Sequence, residues 1–240
     1  MSINYVLVGD IHSQSNKLES ALNWIQSSIK NYHIIFLGDV FDSRNDFSDS
    51  VGVYNIVRDL ENKGVATTIQ SNHQYKLLRY YKGNKISISN GIDKTIEDFN
   101  KDSSIDTSEV YSWLESLPYG VVFYDKFNTQ YRAAHAYFPS DFKIPWPHNF
   151  DEIYKIYEVN RKTRDQAIYG PHRKLNETGT TERIEWWKEN RDRRWIRVAG
   201  HYHTICEDFN TNSLVLDGGC GVDGGMLVAY DVNSKTLKTF

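Results

Sequence analysis

The chain has 240 residues, of which 40% are hydrophobic and 25% are charged, and its formal net charge is −3. This is ordinary globular composition, and the length suffices for one domain with a buried core. The net charge argues against a broad basic surface for nucleic acid. No apolar run reaches the length of a membrane span and no secretory segment is recognisable, so we expect a cytoplasmic protein with two reduced cysteines, Cys206 and Cys220.

The first half of the chain alternates short apolar runs with segments of helical periodicity. The apolar runs predict three buried strands, at 3–8, 33–37 and 65–69. The periodic segments predict three helices, over 18–29, 51–60 and 75–81. This alternation of strand, loop and helix predicts an α/β fold with polar side chains just beyond the ends of the strands, where such sheets bind ligands.

The second half of the chain favours β-structure. Two runs at 119–124 and 129–134 flank a short turn and predict a hairpin. Four further strands are predicted, at 195–199, 205–209, 213–216 and 226–230. We interpret the polar stretch 139–194, with a helix predicted over 151–164, as a cap inserted into a single domain that spans 1–240.

Polar side chains directly follow five of the apolar runs. They are Asp10 and His12, Asp39 and Asp42, Asn72 and His73, His135, and His201 and His203. Carboxylates and imidazoles that converge on one sheet edge repel one another or stay unpaired unless a cation lies between them. Mixed oxygen and nitrogen ligands without Cys suit divalent first-row metals. Two such ions activate water near neutral pH, so the site needs no side-chain nucleophile.

The segments GDIH, GDVFD, SNH, AHA and GHYH occur in this order. Together they resemble the five motifs of calcineurin-like metallophosphoesterases. The glycine-rich stretch LDGGCGVDGG resembles the phosphoprotein-phosphatase branch of that superfamily. The stretch after SNH resembles the phosphatase domain of bacterial polynucleotide kinase-phosphatase and diadenosine tetraphosphatases. The resemblance implies a four-layer α/β/β/α sandwich of two mixed sheets flanked by helices.

The resemblance also implies a role for each motif residue. The implied metal ligands are Asp10, His12 and His203 for a first ion, Asp39 for both ions, and Asn72, His135 and His201 for a second ion. His73 is implied as the general acid and Asp42 as the carboxylate that orients its imidazole. Manganese is the expected metal, with iron, zinc, cobalt and nickel as alternatives.

The sequence departs from the protein-phosphatase branch at the arginine that grips the substrate phosphate. That branch has Asp-Arg-Gly where this chain has Asp42, Ser43 and Arg44. Arg44 can replace the family arginine only if its loop bulges by one residue. Three other arginines are candidates for phosphate contacts: Arg132, Arg161 and Arg164.

We predict a hydrolase that cleaves phosphomonoesters, on a phosphoprotein or a small molecule, by attack of a hydroxide that bridges two metal ions. The alternative is a 2′,3′-cyclic phosphodiesterase, a nucleotide phosphatase or a dinucleoside polyphosphate hydrolase. The expected partner is therefore a phosphorylated protein, a nucleotide or an RNA end. Ser71 and Gln74 replace a glycine and an acidic residue of the family, which leaves open a metal-binding scaffold without catalysis.

Overall fold

A computed structural model describes residues 3–144, 152–174, 181–190 and 192–240. Its β-strands are β1 (Asn4–Val8), β2 (Tyr32–Phe36), β3 (Ala66–Thr68), β4 (Gly120–Tyr124), β5 (Gln130–Ala133), β6 (Tyr154–Ile156), β7 (His172–Lys174), β8 (Thr181–Arg183), β9 (Ile196–Ala199), β10 (Ile205–Asp208), β11 (Ser213–Leu216), β12 (Val228–Asp231) and β13 (Thr236–Thr239). Its helices are α1 (Ser15–Ser28), α2 (Ser50–Asn62), α3 (Asn72–Tyr81), α4 (Ile92–Lys101), α5 (Thr107–Ser116), α6 (Arg161–Tyr169) and α7 (Trp186–Glu189).

The first sheet has the strand order β13-β12-β1-β2-β3. β1, β2 and β3 are parallel, whereas β12 pairs antiparallel with both β1 and β13. Parallel neighbours need crossover connections, and α1 and α2 provide them. The carboxyl ends of β1, β2 and β3 therefore meet at one edge, and the chain that leaves this edge carries Asp10, Asp39 and Asn72.

The second sheet has the strand order β10-β11-β9-β5-β4-β6. Its three central strands β11, β9 and β5 are parallel, and the outer pairings are antiparallel. His135 follows β5, His201 follows β9 and Asp217 follows β11. The second sheet thus also brings three polar side chains to one edge.

The two sheets pack face to face, and the alternation of side chains along β1 shows how. Tyr5 and Leu7 belong to the core cluster between the sheets, where they meet Phe123 and Tyr131 of the β4–β5 hairpin. Val6 and the other alternate residues of β1 face the helices on the opposite side. β1 and β2 are buried on both faces along most of their length, which explains their largely apolar sequences.

Helices form the two outer layers. α1 to α5 cover the outer face of the first sheet through one large apolar cluster that includes Leu18, Val57 and Trp113. Ala167 and Ile168 of α6 pack on the outer face of the second sheet, and α7 adds its two tryptophans there. The predicted α/β/β/α sandwich of two mixed sheets is therefore confirmed. In the described ranges, no helix has the combination of length and hydropathy that a bilayer span requires.

The helix predicted over 151–164 is wrong in its position. β6 pairs with β4 at Tyr154–Ile156, and α6 begins only at Arg161. Asn160 accepts a hydrogen bond from the Thr163 N–H, 3.0 Å away, and this cap fixes the start of the helix. Of the predicted cap, residues 145–151, 175–180 and 191 lie outside the described residues. The cap itself stays a prediction.

Candidate metal centre

The polar residues predicted at the strand ends converge between the two sheets. Six of them are buried, with at most 6% of their surface exposed: Asp10, His12, Asp39, Asp42, His73 and His135. Two groups of side chains, His12–Asp39–His73 and Asp39–His135–His201, each place one donor atom per residue within 4.8 Å of the others. The carboxylate of Asp39 belongs to both groups, which is the arrangement that a ligand shared by two ions would have.

Backbone carbonyls fix the orientation of the His12 ring. Its Nδ1 lies 3.0 Å from the Phe41 carbonyl oxygen and 3.1 Å from that of Asp42. Nδ1 must therefore carry the proton, because a carbonyl can only accept. The lone pair of Nε2 then faces the Asp39 carboxylate, whose Oδ2 is 3.7 Å away. Histidine ligands of metal ions are commonly oriented by such a hydrogen bond from the other ring nitrogen.

A backbone carbonyl also orients the ring of His135, on the other side of Asp39. Its Nδ1 donates to the Leu37 carbonyl oxygen at 2.9 Å, so in the neutral ring it is Nε2 that carries the lone pair. Nε2 lies 2.8 Å from Asn72 Oδ1 and 3.4 Å from Asp39 Oδ2. His201 Nδ1 is 3.0 Å from the same nitrogen. Several acceptor atoms that face one another at these distances require a shared cation or added protons.

The electrostatics of Asp39 agree with this geometry. Burial alone would raise the pKa of Asp39, but the imidazoles of His135 and His73 hold it well below its usual value. Burial lowers the pKa of His201 well below the ordinary value, and the neighbouring His135 adds to this effect. The centre therefore combines a carboxylate that favours its ionised form with a His201 imidazole that favours its neutral form, and metal binding needs both of these forms.

Asp10 lies beside a second buried carboxylate, Asp217. Burial, followed by the charges of Asp217 and Asp39, raises the pKa of Asp10 well above its usual value. The His201 N–H donates to Asp10 Oδ2 at 3.0 Å. Gly200 permits this approach, because a methyl group at its position would lie 2.1 Å from Asp10 Oδ1. A divalent cation would remove the repulsion between these carboxylates.

Sequence reasoning missed Asp217. This carboxylate is 1% exposed, and it accepts hydrogen bonds from the His203 N–H at 2.6 Å and from the Gly219 N–H at 2.8 Å. It therefore holds the loop that carries His201 while it contributes charge next to Asp10. The signal was present in the sequence, since an Asp directly follows the apolar run of β11, as Asp10 follows β1.

The structure does not bring the His203 ring into either group. His203 is exposed, its φ is +48°, and Asp217 binds its backbone N–H. Its Nδ1 lies 3.5 Å from the position that a Cβ would take at Gly219. The implied role of His203 as a ligand of the first ion stays a prediction that this geometry does not support.

His73 and Asp42 form the contact that the resemblance implies. His73 Nδ1 lies 2.7 Å from Asp42 Oδ2, and the Thr95 hydroxyl donates to Asp42 Oδ1 at 2.7 Å. The Asp42 N–H donates back to that hydroxyl at 3.1 Å, so Thr95, which sequence reasoning missed, fixes the carboxylate. Burial would lower the pKa of His73, but Asp39 and Asp42 raise it above the ordinary value. His73 Nε2 is 3.9 Å from Asp39 Oδ2, on the side of the metal centre.

Two of the four candidate arginines lie near the candidate acid or its helix. Arg44 is exposed, and its positive charge lowers the pKa of His73, which opposes the effect of the neighbouring carboxylates. Arg164 forms an ion pair with Asp165 at 2.8 Å and lies over the ring of Tyr75, with its Cζ 4.7 Å from the centroid. Arg44 is thus placed near the centre, whereas the charge of Arg164 is already paired.

The structure places the other two candidate arginines elsewhere. Arg161 has an 89% exposed side chain and lies 3.7 Å from Asp165. Arg132 lies over the ring of Trp195, with its Cζ 3.3 Å from the centroid, and its Nε donates to Gln130 at 2.8 Å. Arg132 alternates with Ala133, which points into the core between the sheets, so Arg132 faces the outer side. Neither guanidinium is among the residues of the metal centre.

Ser71 and Gln74, which differ from the family pattern, both have hydrogen-bond partners for their side chains. The Ser71 hydroxyl accepts from the Gln74 N–H at 3.3 Å and caps α3. The Gln74 carboxamide accepts from the Ser71 hydroxyl and from the Val40 N–H, and it donates to the Ile69 carbonyl at 3.3 Å. The Ser71 side chain therefore caps α3, and the Gln74 carboxamide links this cap to the loop after β2 and to Ile69. This arrangement holds Asn72 and His73 in the first turn of α3, so the substitutions give little support to a scaffold without catalysis.

The backbone of the centre is strained. Five residues in the centre or in its adjoining loops have positive φ values between 44° and 72°: His12, Asp39, Asp42, His201 and His203. Each such conformation costs on the order of 1–3 kcal/mol in a non-glycine residue, and such residues cluster at functional sites. The surrounding fold therefore imposes the placement of these side chains.

Comparisons with known proteins agree with the site. The sequence profile of the family described as calcineurin-like phosphoesterase matches residues 3–231. An asymmetrical bis(5'-nucleosyl)-tetraphosphatase PrpE of Oceanobacillus iheyensis is 26% identical over 239 residues, which cover 95% of this chain and 88% of that protein. The enzyme of the same name from Bacillus subtilis is 26% identical over 242 residues, with coverage of 94% and 89%.

Solved structures show the same fold. A crystal structure whose assignment as a diadenosine tetraphosphatase is provisional superposes with a TM-score of 0.61 at 23% identity, covering 100% of this chain and 97% of its own. A Saccharomyces cerevisiae protein serine/threonine phosphatase superposes with a TM-score of 0.57 at 12% identity, with coverage of 100% and 80%. At these identities the likeness concerns the fold alone.

Proposed function

Because this chain belongs to the calcineurin-like phosphoesterase family and is a phosphoric ester hydrolase, we propose that it hydrolyses dinucleoside polyphosphates. The observation that carries the proposal is the group of relatives named bis(5'-nucleosyl)-tetraphosphatase, which align along nearly the whole of both chains. They favour the alternative stated from the sequence over a phosphomonoesterase. Cleavage is proposed to be asymmetrical, as their name specifies.

The donor set fits two divalent cations. We propose that one is held by Asp10, His12 and Asp39, and the other by Asp39, Asn72, His135 and His201. The oriented imidazoles, the shared carboxylate and the buried pair Asp10–Asp217 support this assignment. Cations bound there would supply Lewis acidity and an activated water at neutral pH. Manganese stays the predicted metal.

His73 is proposed to donate a proton to the leaving group. Asp42 accepts from Nδ1, which leaves Nε2 of the protonated ring to donate to the departing oxygen. The raised pKa keeps this imidazole protonated over a wider pH range than that of a free histidine. Arg44, near His73 and exposed, is proposed to contact the substrate phosphate.

The proposal is tested by incubating the protein with diadenosine tetraphosphate and manganese and separating the nucleotides. AMP and ATP in equal amounts are expected, and Asp39→Asn should lower the rate by at least about 100-fold. Hydrolysis of para-nitrophenyl phosphate without release of AMP and ATP would instead indicate a phosphomonoesterase. Bound metal without hydrolysis of either substrate would support the hypothesis of a metal-binding scaffold without catalysis.

A further inference from the structure

A pocket of about 510 Å³ lies outside the residues assigned to the metal centre. It opens between α6 and the β7–β8 hairpin. Six of its lining residues are Lys162, Gln166, Tyr169, His172, Thr181 and Arg183. The proposed chemistry of the centre uses none of them, so the pocket needs a separate explanation.

The pocket adjoins the metal centre through Tyr202. The Tyr202 ring lies 5.3 Å from the ring of His201, and the Arg183 Cζ lies 5.5 Å from the Tyr202 centroid. At the end of α6, Gly170 has a φ of +82°, and a methyl group there would lie 2.1 Å from the Tyr202 hydroxyl. Gly170, in the pocket wall, thus packs closely against Tyr202, which directly follows the proposed metal ligand His201.

The register of the β7–β8 hairpin places one face of the hairpin toward the pocket. His172 pairs with Arg183, and both line the pocket. The neighbouring pair Arg173–Glu182 lies on the opposite face, where Arg173 approaches Glu189 at 3.8 Å. Two arginines on one hairpin therefore differ in position, and only Arg183 faces the pocket.

The pocket is basic and its positive charges are available. In the described ranges, neither Lys162 nor Arg183 lies in an ion pair. Asp165, the acidic residue at the same wall, already pairs with Arg164 at 2.8 Å. An anion that enters the pocket therefore meets two uncompensated side-chain cations, and phosphate groups match such a pair.

An exposed aromatic ring completes the pocket. Tyr169, in the last turn of α6, keeps 38% of its surface exposed although it is a large hydrophobic residue. A flat ring next to a basic wall can stack with a nucleobase while the cations hold the phosphates attached to it. A pocket for phosphate alone would not need this ring.

We propose that this pocket, lined by Lys162, Tyr169 and Arg183, binds one nucleoside phosphate of a dinucleoside polyphosphate. Lys162 and Arg183 contact its phosphates, and its base stacks on Tyr169. The polyphosphate runs from the metal centre past Tyr202 to the pocket. The inference rests on the proposed function for its substrate, and it adds the residues that would select a nucleotide over a small phosphoester.

The test compares KM and kcat for diadenosine tetraphosphate and para-nitrophenyl phosphate in single variants. Lys162→Gln and Arg183→Gln should each raise KM for the dinucleotide about tenfold or more, because each removes a charge-assisted contact. Tyr169→Leu should raise it as well, whereas Tyr169→Phe should not. All variants should keep kcat/KM for para-nitrophenyl phosphate within about twofold of wild type.

Arg173→Gln is the matched control, because it removes the same charge from the other face of the same hairpin. Its KM for both substrates should equal that of wild type. An equal loss in Arg173→Gln and Arg183→Gln would show a general effect of charge and overturn the proposal, as would an unchanged KM in Lys162→Gln and Arg183→Gln. Unchanged melting temperatures establish that the variants are folded.

A failure of the proposed function is distinguishable from a failure of this inference. If wild type cleaves para-nitrophenyl phosphate but leaves diadenosine tetraphosphate intact, the proposed substrate is wrong. The pocket is then tested with ADP as a competitive inhibitor of para-nitrophenyl phosphate hydrolysis. Inhibition that weakens in Arg183→Gln but is retained in Arg173→Gln supports a nucleotide site, and equal inhibition of both variants overturns it.

Discussion

The most informative side chains of the centre are those whose hydrogen bonds determine where a proton resides. His12 and His135 both donate from Nδ1 to backbone carbonyls, so their Nε2 lone pairs face Asp39. His73 is oriented by a carboxylate, Asp42, which stabilises its protonated form. The hydrogen bonds thus distinguish two proposed roles: His12 and His135 are oriented to present Nε2 to a cation, and His73, in the first turn of α3, is oriented to donate a proton.

The proton-donor role of His73 predicts a dependence on the leaving group. His73→Asn should lower kcat for phenyl phosphate, a poor leaving group, by about 100-fold or more, because general acids contribute about 10²–10⁴. Nucleoside phosphates depart as weaker bases, so the loss for diadenosine tetraphosphate should be smaller. Steady-state rates of both substrates, beside His33→Asn as a control distant from the centre, measure the difference. Equal losses for the two substrates would contradict proton donation.

Asp217 offers a second prediction at this scale. Asp217→Asn removes one of two adjacent buried carboxylates and disturbs the acceptors of the His203 and Gly219 amides. We expect metal affinity to fall about 10–100-fold, the usual effect of altering a group that orients metal ligands. In the metal-free protein, the loss of repulsion with Asp10 should offset part of the cost in stability. Calorimetric titration with manganese and thermal unfolding with chelator measure the two effects, and unchanged affinity would exclude the role.

At the scale of elements, the apolar runs predicted β1 and β2 well because these parallel strands are buried on both faces along most of their length. The candidate ligand positions followed from these runs, since they lie within a few residues of the strand ends. The helix predicted over 151–164 failed because a three-residue edge strand such as β6 has too short a pattern to distinguish from a helix. α4 and α5 were not predicted, and Thr95 was missed with α4.

Thr95 shows what α4 contributes to the centre. Its hydroxyl donates to Asp42 and accepts from the Asp42 N–H. Thr95→Val keeps the shape but removes both hydrogen bonds, so we expect kcat to fall about tenfold and the free energy of unfolding to fall by about 1–3 kcal/mol. Thr95→Ser, which keeps the hydroxyl, should restore most of the activity. Denaturant titration and steady-state kinetics check both, and a fully active Thr95→Val would refute the positioning role.

The contact between β2 and β3 predicts a pH dependence of stability. Burial, with a smaller effect of Lys155, lowers the pKa of His33 to about 4, and His33 Nε2 lies 3.0 Å from the Thr67 hydroxyl. A histidine whose pKa is lower in the folded chain takes up its proton more readily when unfolded. Its contribution is therefore complete above pH about 6.5 and is lost as the pH falls toward 4.

His33→Gln should remove this pH dependence while it keeps a polar partner for Thr67. Relative to the variant, wild type should lose about 1–3 kcal/mol of unfolding free energy between pH 7 and pH 4. Urea unfolding at several pH values measures the difference. Parallel curves for the two proteins over this range would show that His33 titrates normally.

At the scale of the whole molecule, the candidate metal centre lies where the two sheets meet, and both sheets contribute proposed ligands. Asp10, His12, Asp39 and Asn72 follow strands of the first sheet, and His135 and His201 follow strands of the second. Cations bound there would join the sheets and offset the repulsion of buried carboxylates. Only the native fold brings these ligands together, so the ions should bind the folded state and stabilise it.

Chelation should therefore lower the melting temperature. An ion at 100 times its dissociation constant contributes about 2.7 kcal/mol, which corresponds to about 5–10 °C for a chain of this size. Differential scanning fluorimetry with and without EDTA measures the shift. In Asp39→Asn, which lacks the shared carboxylate, the shift should be much smaller. A wild-type protein whose melting is insensitive to EDTA would count against a resident metal.

The pairing of β1 with β12 has a consequence for how the molecule folds. β1 lies between β2 and β12, so its pairing is complete only after β12, near the end of the sequence, has joined the sheet. His201 and Asp217 likewise follow strands late in the sequence, β9 and β11. Contacts between distant parts of a chain form slowly, because loop-closure entropy is lost before the contacts stabilise the fold. Early compact species therefore lack a binding centre, and metal is expected to slow unfolding more than it accelerates folding.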